Sequence, residues 1–412
     1  MFRSPRRRPA RRSLAVRELL WKVRAKALGS GLLRNVTRAA HRRRALLLHQ
    51  VAAFRTARDA RVHQQIGQAR EIARALDELG YSVDVADWSE HRPVLEGAYD
   101  LVIDLHPAEP ALYDGHLAPG AVRLSWITGS NPSFSNAVER ERLEELRRRK
   151  GITLAPRRQV PPFPRARFES FDGMLAFAGP AALRTYSEFR LPPVHLLVNN
   201  GYEEIEPTDP ARRDPRHFLF MASGGQVLKG LDRLLEIFAE EPGLELTVLS
   251  AFRREPDFAR AYRRELTQLP NIRAIGFLDV SASAFREVQA ECGWLLLPSG
   301  SEGKCGTITV AMSFGLPCVA SEACGFEEPE VLRLPDCRTE TIRSVALDLA
   351  ARPGSELRRR AEEAAALVRR AYSRADFARS IRTALASVLG RTPAGSTERH
   401  ESGSMEPGSR RP

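Results

Sequence analysis

The stretch GWLLLPSGSEGKCGTITVAMSFGLPCVAS, residues 293–321, decides how the rest of the chain is read. Residues 293–297 form a short, continuously apolar run, the pattern of a parallel strand buried on both faces. Pro298 ends the run, and a loop of small residues follows, Ser299-Gly300-Ser301-Glu302-Gly303. Residues 307–314 have helical character with no internal Gly or Pro, Gly315 stops them, and residues 317–320 begin another strand. In strand–loop–helix units of this kind, ligands bind where loop backbone and helix N-terminus converge at the carboxyl end of the strand. Glycine lets a ligand approach the backbone closely. The lone acid Glu302 is placed to accept hydrogen bonds from hydroxyls.

Working outward, strands alternate with helices on both sides, which predicts a layered α/β chain with parallel sheets. Upstream, strands are predicted at 45–49, 81–85, 101–105, 122–126, 174–177 and 194–198. A helix over 64–79 places Ile66, Ala69, Ile72, Ala73, Leu76 and Leu79 on one face, and Gly80 caps it. A charged helix over 139–150 is read mainly as a solvated face. Residues 125–136, SWITGSNPSFSN, read as a small, polar loop open to an acceptor or to solvent. The segment 199–215 is polar and holds Pro207, Pro210 and Pro215, so a boundary is placed there. Beyond it, strands at 218–221, 244–249, 272–275 and 293–297 alternate with helices over 231–238, 258–269 and 282–290, and residues 356–389 are helical.

Two stretches together resemble glycosyltransferase family 4, whose architecture is GT-B, two Rossmann-like domains facing a cleft. The first carries Pro298, Ser299, Glu302, Gly303, Ala311, Met312, Gly315 and Pro317 of that signature. The second is FLFMASGGQVLKGLD, with Gly224, Gly225, Lys229 and Gly230. The resemblance covers about residues 45 to 390 and departs at two places. Val310 stands where the family has a second Glu that grips ribose hydroxyls, and no Arg precedes Lys229, where the chain reads Ser223-Gly224-Gly225-Gln226.

The resemblance implies transfer of a hexose from a nucleotide-sugar donor to a glycan or lipid-linked acceptor, with retention, in bacterial surface polysaccharide synthesis. It assigns Lys229, Glu302 and His106 to catalysis and Gly224, Gly225, Gly303, Gly306 and Thr307 to the nucleotide-sugar. His106 follows the 101–105 strand, where relatives carry a His that reaches the sugar. The loop before the 64–79 helix, which holds His63, lacks the glycines of many relatives; it offers Arg55, Arg58 and Arg61, as phosphate partners or as a solvated basic loop. Charge on a leaving diphosphate is stabilised by a metal or by cations and helix N-termini. No Asp-x-Asp motif occurs, so no metal and no cofactor is expected. Other readings are a sugar-nucleotide epimerase or phosphorylase of the same fold, and a degenerate GT-B binding module without activity.

The 412 residues carry a net charge of +12. Residues 1–44 hold thirteen Arg and two Lys against one acid, Glu18, a charge of +14 that leaves −2 for the remainder. The basicity belongs to an N-terminal extension, which removes the support for nucleic-acid binding by the body of the chain. That extension reads either as a basic amphipathic helix on an anionic membrane face or as a solvated helix packed on its own domain. Apolar content of 43% suffices for real cores. No apolar run approaches the roughly eighteen residues of a membrane span, and no signal-peptide core is present. A cytoplasmic protein, peripheral at the inner face of the plasma membrane, is expected. The five cysteines show no zinc or C-x-x-C spacing and read as reduced thiols. The expected organisation is an extension (1–44), an acceptor-side domain (45–198), a linker (199–215), a nucleotide-sugar domain (216–376), a helix crossing back to the first domain (377–390) and a disordered tail (391–412).

Overall fold

The computed structural model describes residues 31–55, 64–87, 95–105, 107 and 112–390. The basic arm over 1–30, the tail over 391–412, Arg58, Arg61, His63 and His106 lie outside the described residues.

The first sheet contains β1 (Leu32–Leu33), β2 (Arg43–Leu48), β3 (Tyr81–Ala86), β4 (Tyr99–Leu105), β5 (Leu117–Ile127), β6 (Gly173–Ala176) and β7 (Val194–Leu196). Their order is β1-β3-β2-β4-β5-β6-β7, parallel throughout except for β1 against β3. The second sheet contains β8 (Asp214–Ala222), β9 (Glu245–Ser250), β10 (Ile272–Ala274), β11 (Cys292–Leu297), β12 (Cys318–Ala320) and β13 (Leu332–Arg333). Its order, β10-β9-β8-β11-β12-β13, is fully parallel. The order in which strands are added therefore reverses between β8 and β11, and the loops after those two parallel strands diverge from one point at the sheet's carboxyl edge.

Burial follows from the apolar runs. Every residue of β11 is buried, as expected for a strand covered on both faces. The helix α1 (Gln64–Glu78) buries Ala69, Ile72, Ala73 and Leu76 against the first sheet. Four of the five cysteines are buried, and all five are free thiols. No described helix is long and apolar enough to cross a membrane.

The helix α2 differs from expectation in extent and environment. It spans Pro132–Lys150 instead of starting at residue 139. Asn131 caps it by accepting from the Ser133 N–H at 2.9 Å, with Pro132 pre-set for the first turn. The stretch read as a loop over 125–136 is thus the end of β5, a short turn, and the start of α2. Glu139 and Arg142, read as solvated, are buried, and Leu146 joins the core of the second sheet. Although α2 follows a first-sheet strand, Arg149 pairs with Asp232 (2.9 Å) and Glu236 (2.8 Å), and Arg233 pairs with Glu145. The helix is a strap across both halves.

The helical region expected over 356–389 is two helices, α6 (Gly354–Ala371) and α7 (Arg374–Val388), preceded in the chain by α3 (Gln226–Lys229), α4 (Leu231–Glu240) and α5 (Gly306–Ser313). The break at Ser373 carries a capping box with Asp376. Phe377, Ile381, Ala384 and Leu385 of α7 enter the first-sheet core, and Arg382 bridges Glu78 (2.6 Å) and Glu71 (2.8 Å) on α1.

Candidate active site

After β8 the chain makes a tight turn through Gly224 and Gly225 into a one-turn helix, α3 (Gln226–Lys229), then through Gly230 into α4 (Leu231–Glu240). After β11 it forms the Ser299–Gly303 loop and enters α5 (Gly306–Ser313). Gly230, at φ +83°, brings these loops together: a Cβ there would stand 2.7 Å from the Pro298 ring and 2.8 Å from its carbonyl. The Gly300 N–H donates to Leu228 O at 2.9 Å. From α2, the buried Arg142 donates through Nη1 to Leu228 O and Pro298 O, both at 2.8 Å. One guanidinium thus staples the two loops.

The staple leaves Lys229 and Glu302 face to face. Lys229 Nζ forms an ion pair with Glu302 Oε1, and both side chains are largely buried. Ser299 Oγ donates to the same carboxylate oxygen at 2.9 Å. Lys229, expected at a strand-to-helix turn, is a buried residue of α3. A first-sheet residue also holds this loop, with Ser130 Oγ donating to Glu302 O at 2.7 Å.

The pair borders a cavity of about 330 Å³ between the sheets' carboxyl edges, a size suited to a small ligand. Its polar side carries Lys229, Glu302, Gly303, Lys304, Gly306 and Thr307, with Gln64, Thr128, Arg158 and Asn199 opposite. Its apolar side carries Met221, Leu249, Phe277, Leu278 and Val280. Phe277 is 63% exposed. Val310 also lines the cavity and presents an apolar surface there. No side chain caps the N-terminus of α5, its first residues Gly306 and Thr307 line the cavity, and a helix N-terminus favours negative charge.

The expected glycines divide. Gly306 and Thr307 line the cavity. Gly306 also lets Gln64 approach, since a Cβ would lie 2.1 Å from Gln64 Oε1. Gly303 lines the cavity and meets the first-sheet wall, where a Cβ would lie 2.2 Å from Phe177 O and 2.8 Å from Thr128 O. Gly224 and Gly225 are outside the cavity lining. The Gly225 N–H donates to Glu255 at 2.6 Å and the Gln226 N–H at 3.2 Å, so an internal carboxylate already occupies the amides of this turn. His106, outside the described residues, is not placed by the structure.

Amides tie the walls together. Gln64 Nε2 donates to Asn200 O and to Thr309 Oγ1 (2.9 Å), Gln68 Nε2 to Asn199 Oδ1 (2.8 Å), and Asn199 Nδ2 to Lys304 O (2.6 Å). Lys304 is engaged by Glu330 at 3.4 Å and by the Phe326 and Tyr372 rings. Burial pushes its ammonium below the usual lysine range, against the pull of Glu330. Arg142, Arg158, Gln64 and Glu255 had no signal in the sequence: each reaches the site across long chain separations. Among the described residues no cluster of three or more His, Cys, Asp or Glu could hold a metal ion.

This arrangement of two Rossmann-like layers around a cleft is the GT-B fold, and comparison with solved structures agrees. Sucrose-phosphate synthase from Thermosynechococcus elongatus matches with a TM-score of 0.58 at 12% identity, over 84% of this chain and 100% of that one. Anabaena HepE in complex with UDP-glucose matches with a TM-score of 0.55 at 15% identity, over 84% and 99%. The chain spans about half, 54%, of TarM, which it matches over 70% of its own length at 11% identity and a TM-score of 0.49. No protein-family model matches the sequence, and no curated protein matches it.

Proposed function

We propose that the chain is a glycosyltransferase that moves a sugar from a nucleotide-sugar donor to a glycan or lipid-linked acceptor without a metal ion. The observation that carries this reading is the Lys229–Glu302 pair at the point where strand order reverses in the second sheet, beside the cavity and the uncapped start of α5. Transfer breaks an anomeric bond and builds charge on the departing diphosphate. Lys229 and the first amides of α5 stand where that charge is stabilised. In the ligand-free pair, Glu302 neutralises Lys229. A bound diphosphate replaces Glu302 as the lysine's partner and frees the carboxylate to accept from sugar hydroxyls. The exposed Phe277 and its apolar neighbours suit the flat face of a base. The sucrose-phosphate synthase likeness and the HepE complex with UDP-glucose support a nucleotide-sugar donor by fold.

Val310 favours a second reading, a donor-binding module without turnover, because it takes away a hydroxyl acceptor. One experiment separates the two. The full chain is screened against UDP-, GDP-, dTDP- and ADP-glucose for a rise in melting temperature and for donor hydrolysis, with and without EDTA. A ligand at a hundred times its Kd stabilises the fold by about 2.7 kcal/mol. Binding with EDTA-insensitive hydrolysis is expected. Binding without hydrolysis selects the second reading, and no binding by any donor removes both.

A further inference from the structure

We propose that Arg158 is the second cation of the donor site and contacts the diphosphate from the first-sheet wall. The inference rests on the donor reading above and deepens it. A departing nucleoside diphosphate carries more than one negative charge, while Lys229 and Glu302 together supply none. Three cationic side chains line the cavity: Lys229, Lys304 and Arg158. Glu302 holds the first and Glu330 with two aromatic rings holds the second. Arg158 is exposed, and its guanidinium has no hydrogen-bond or ion-pair partner among the described residues. Its neighbour Arg157, by contrast, pairs with Asp257.

The backbone carrying Arg158 is held in place. The carboxylate of Glu139, 2% exposed on α2, accepts from the Arg157 N–H at 2.7 Å, the Arg158 N–H at 2.9 Å and Gln159 Nε2 at 2.7 Å. Ala155 N–H donates to Asp257 across the cleft at 3.3 Å. From this anchored loop the Arg158 stem crosses directly over Gly225. A Cβ at Gly225 would stand 2.4 Å from Arg158 Cγ and 3.3 Å from Cδ. Gly225, at φ +80°, therefore serves a close approach as well as a turn. With its amide donated to Glu255, what this turn contributes to an anion is passage for the arginine. A planar guanidinium suits a diphosphate because it can donate two parallel hydrogen bonds.

The test uses the full chain and compares wild type, Arg158→Gln and Arg158→Lys by calorimetric titration with UDP, GDP, ADP and dTDP, and with the corresponding nucleosides. Arg158→Gln is expected to weaken the bound diphosphate roughly tenfold or more, from the lower end of the range for a hydrogen bond to a charged group upward, and to leave nucleoside affinity and melting temperature unchanged. Arg158→Lys recovers part of the loss, and the wild-type advantage shrinks as salt rises. Equal diphosphate affinity in wild type and Arg158→Gln overturns the inference and leaves the donor reading standing, as does an equal loss for nucleoside and nucleotide. Failure of wild type to bind any of the four diphosphates overturns the donor reading, and this inference with it.

Discussion

The two walls of the cleft reach the cavity by different means. On the second-sheet wall, Lys229 and Glu302 sit within a few residues of the ends of β8 and β11, in loops whose course is set by local glycines and helix starts. On the first-sheet wall, the groups that matter are long side chains sent across the gap: Arg142 from the middle of α2, Arg158 from the loop after it, and Gln64 from the first turn of α1. One wall therefore carries Lys229 and Glu302 on its own loop ends, while the other sends side chains across the gap, Arg142 and Gln64 to hold the loops in register and Arg158 toward the cavity. The Arg142 staple makes the distinction concrete, since it touches no cavity atom and yet joins both loops that carry the ion pair. A cleft built this way ties the geometry of its chemistry to the closure of its halves.

The largest expected effect tests the second-sheet wall. Lys229→Ala should lower kcat by roughly a hundredfold or more, the scale of losing a preorganised charge-stabilising donor. Glu302→Gln should raise the donor KM as well as reduce turnover, because hydroxyl contacts exist before and during reaction. Steady-state kinetics beside melting curves decide this. Near-normal kcat/KM for both, in folded protein, would break the division of labour and move the chemistry elsewhere.

A smaller effect, on stability, is expected at the staple. Arg142→Ala leaves the carbonyls of Leu228 and Pro298 without their charged donor in a buried place. Losing buried partners of this kind costs about 2 kcal/mol, read as a shift in the urea midpoint. An unchanged midpoint would show that Gly300 alone suffices to join the loops.

The smallest effect lies inside the first sheet. Burial raises the Asp104 carboxyl from 3.8 to about 6, against the opposing hydrogen bond from Tyr113. A raised acid favours its protonated form in the fold, so its contribution to stability is greatest below about pH 4 and is lost as pH rises through about 6. Asp104→Asn should therefore stabilise the protein by about 1 kcal/mol at pH 7.5, with the gain shrinking toward pH 4. That is less than the roughly 3 kcal/mol that two pKa units represent, because the amide accepts a weaker hydrogen bond from Tyr113. Melting curves across that range check the sign, and a gain that grows at low pH would contradict it.

The strand–loop–helix from β11 to α5 was legible because all its signals are local. An apolar run, Pro298, a glycine-rich loop and a helix ended by Gly315 lie within a few turns of chain, and each restricts its own backbone. The same held for the second sheet's alternation and for the concentration of positive charge in residues 1–44. The partner of Lys229 lies 73 residues away, and the amide from Gln64 to Thr309 closes 245 residues. No periodicity records such distances.

The charged face of α2 shows where reading by pattern stops. Its acids and arginines have the composition of a solvated surface, and only the fold decides that Glu139 anchors a loop, that Arg142 staples two others and that Leu146 belongs to the far core. Likewise, Gly225 is a turn glycine by sequence and a passage for Arg158 by structure. The sequence by itself determined the parallel α/β layers and the placement of Lys229 and Glu302 after the carboxyl ends of two strands, because strand propensity, burial and turn geometry act over a few residues. Tertiary structure alone decided that the two side chains meet, which amides are already taken, and that Arg158 lines the cavity without a partner among the described residues, because those outcomes depend on two sheets meeting edge to edge, and that meeting is set by the summed burial of both cores.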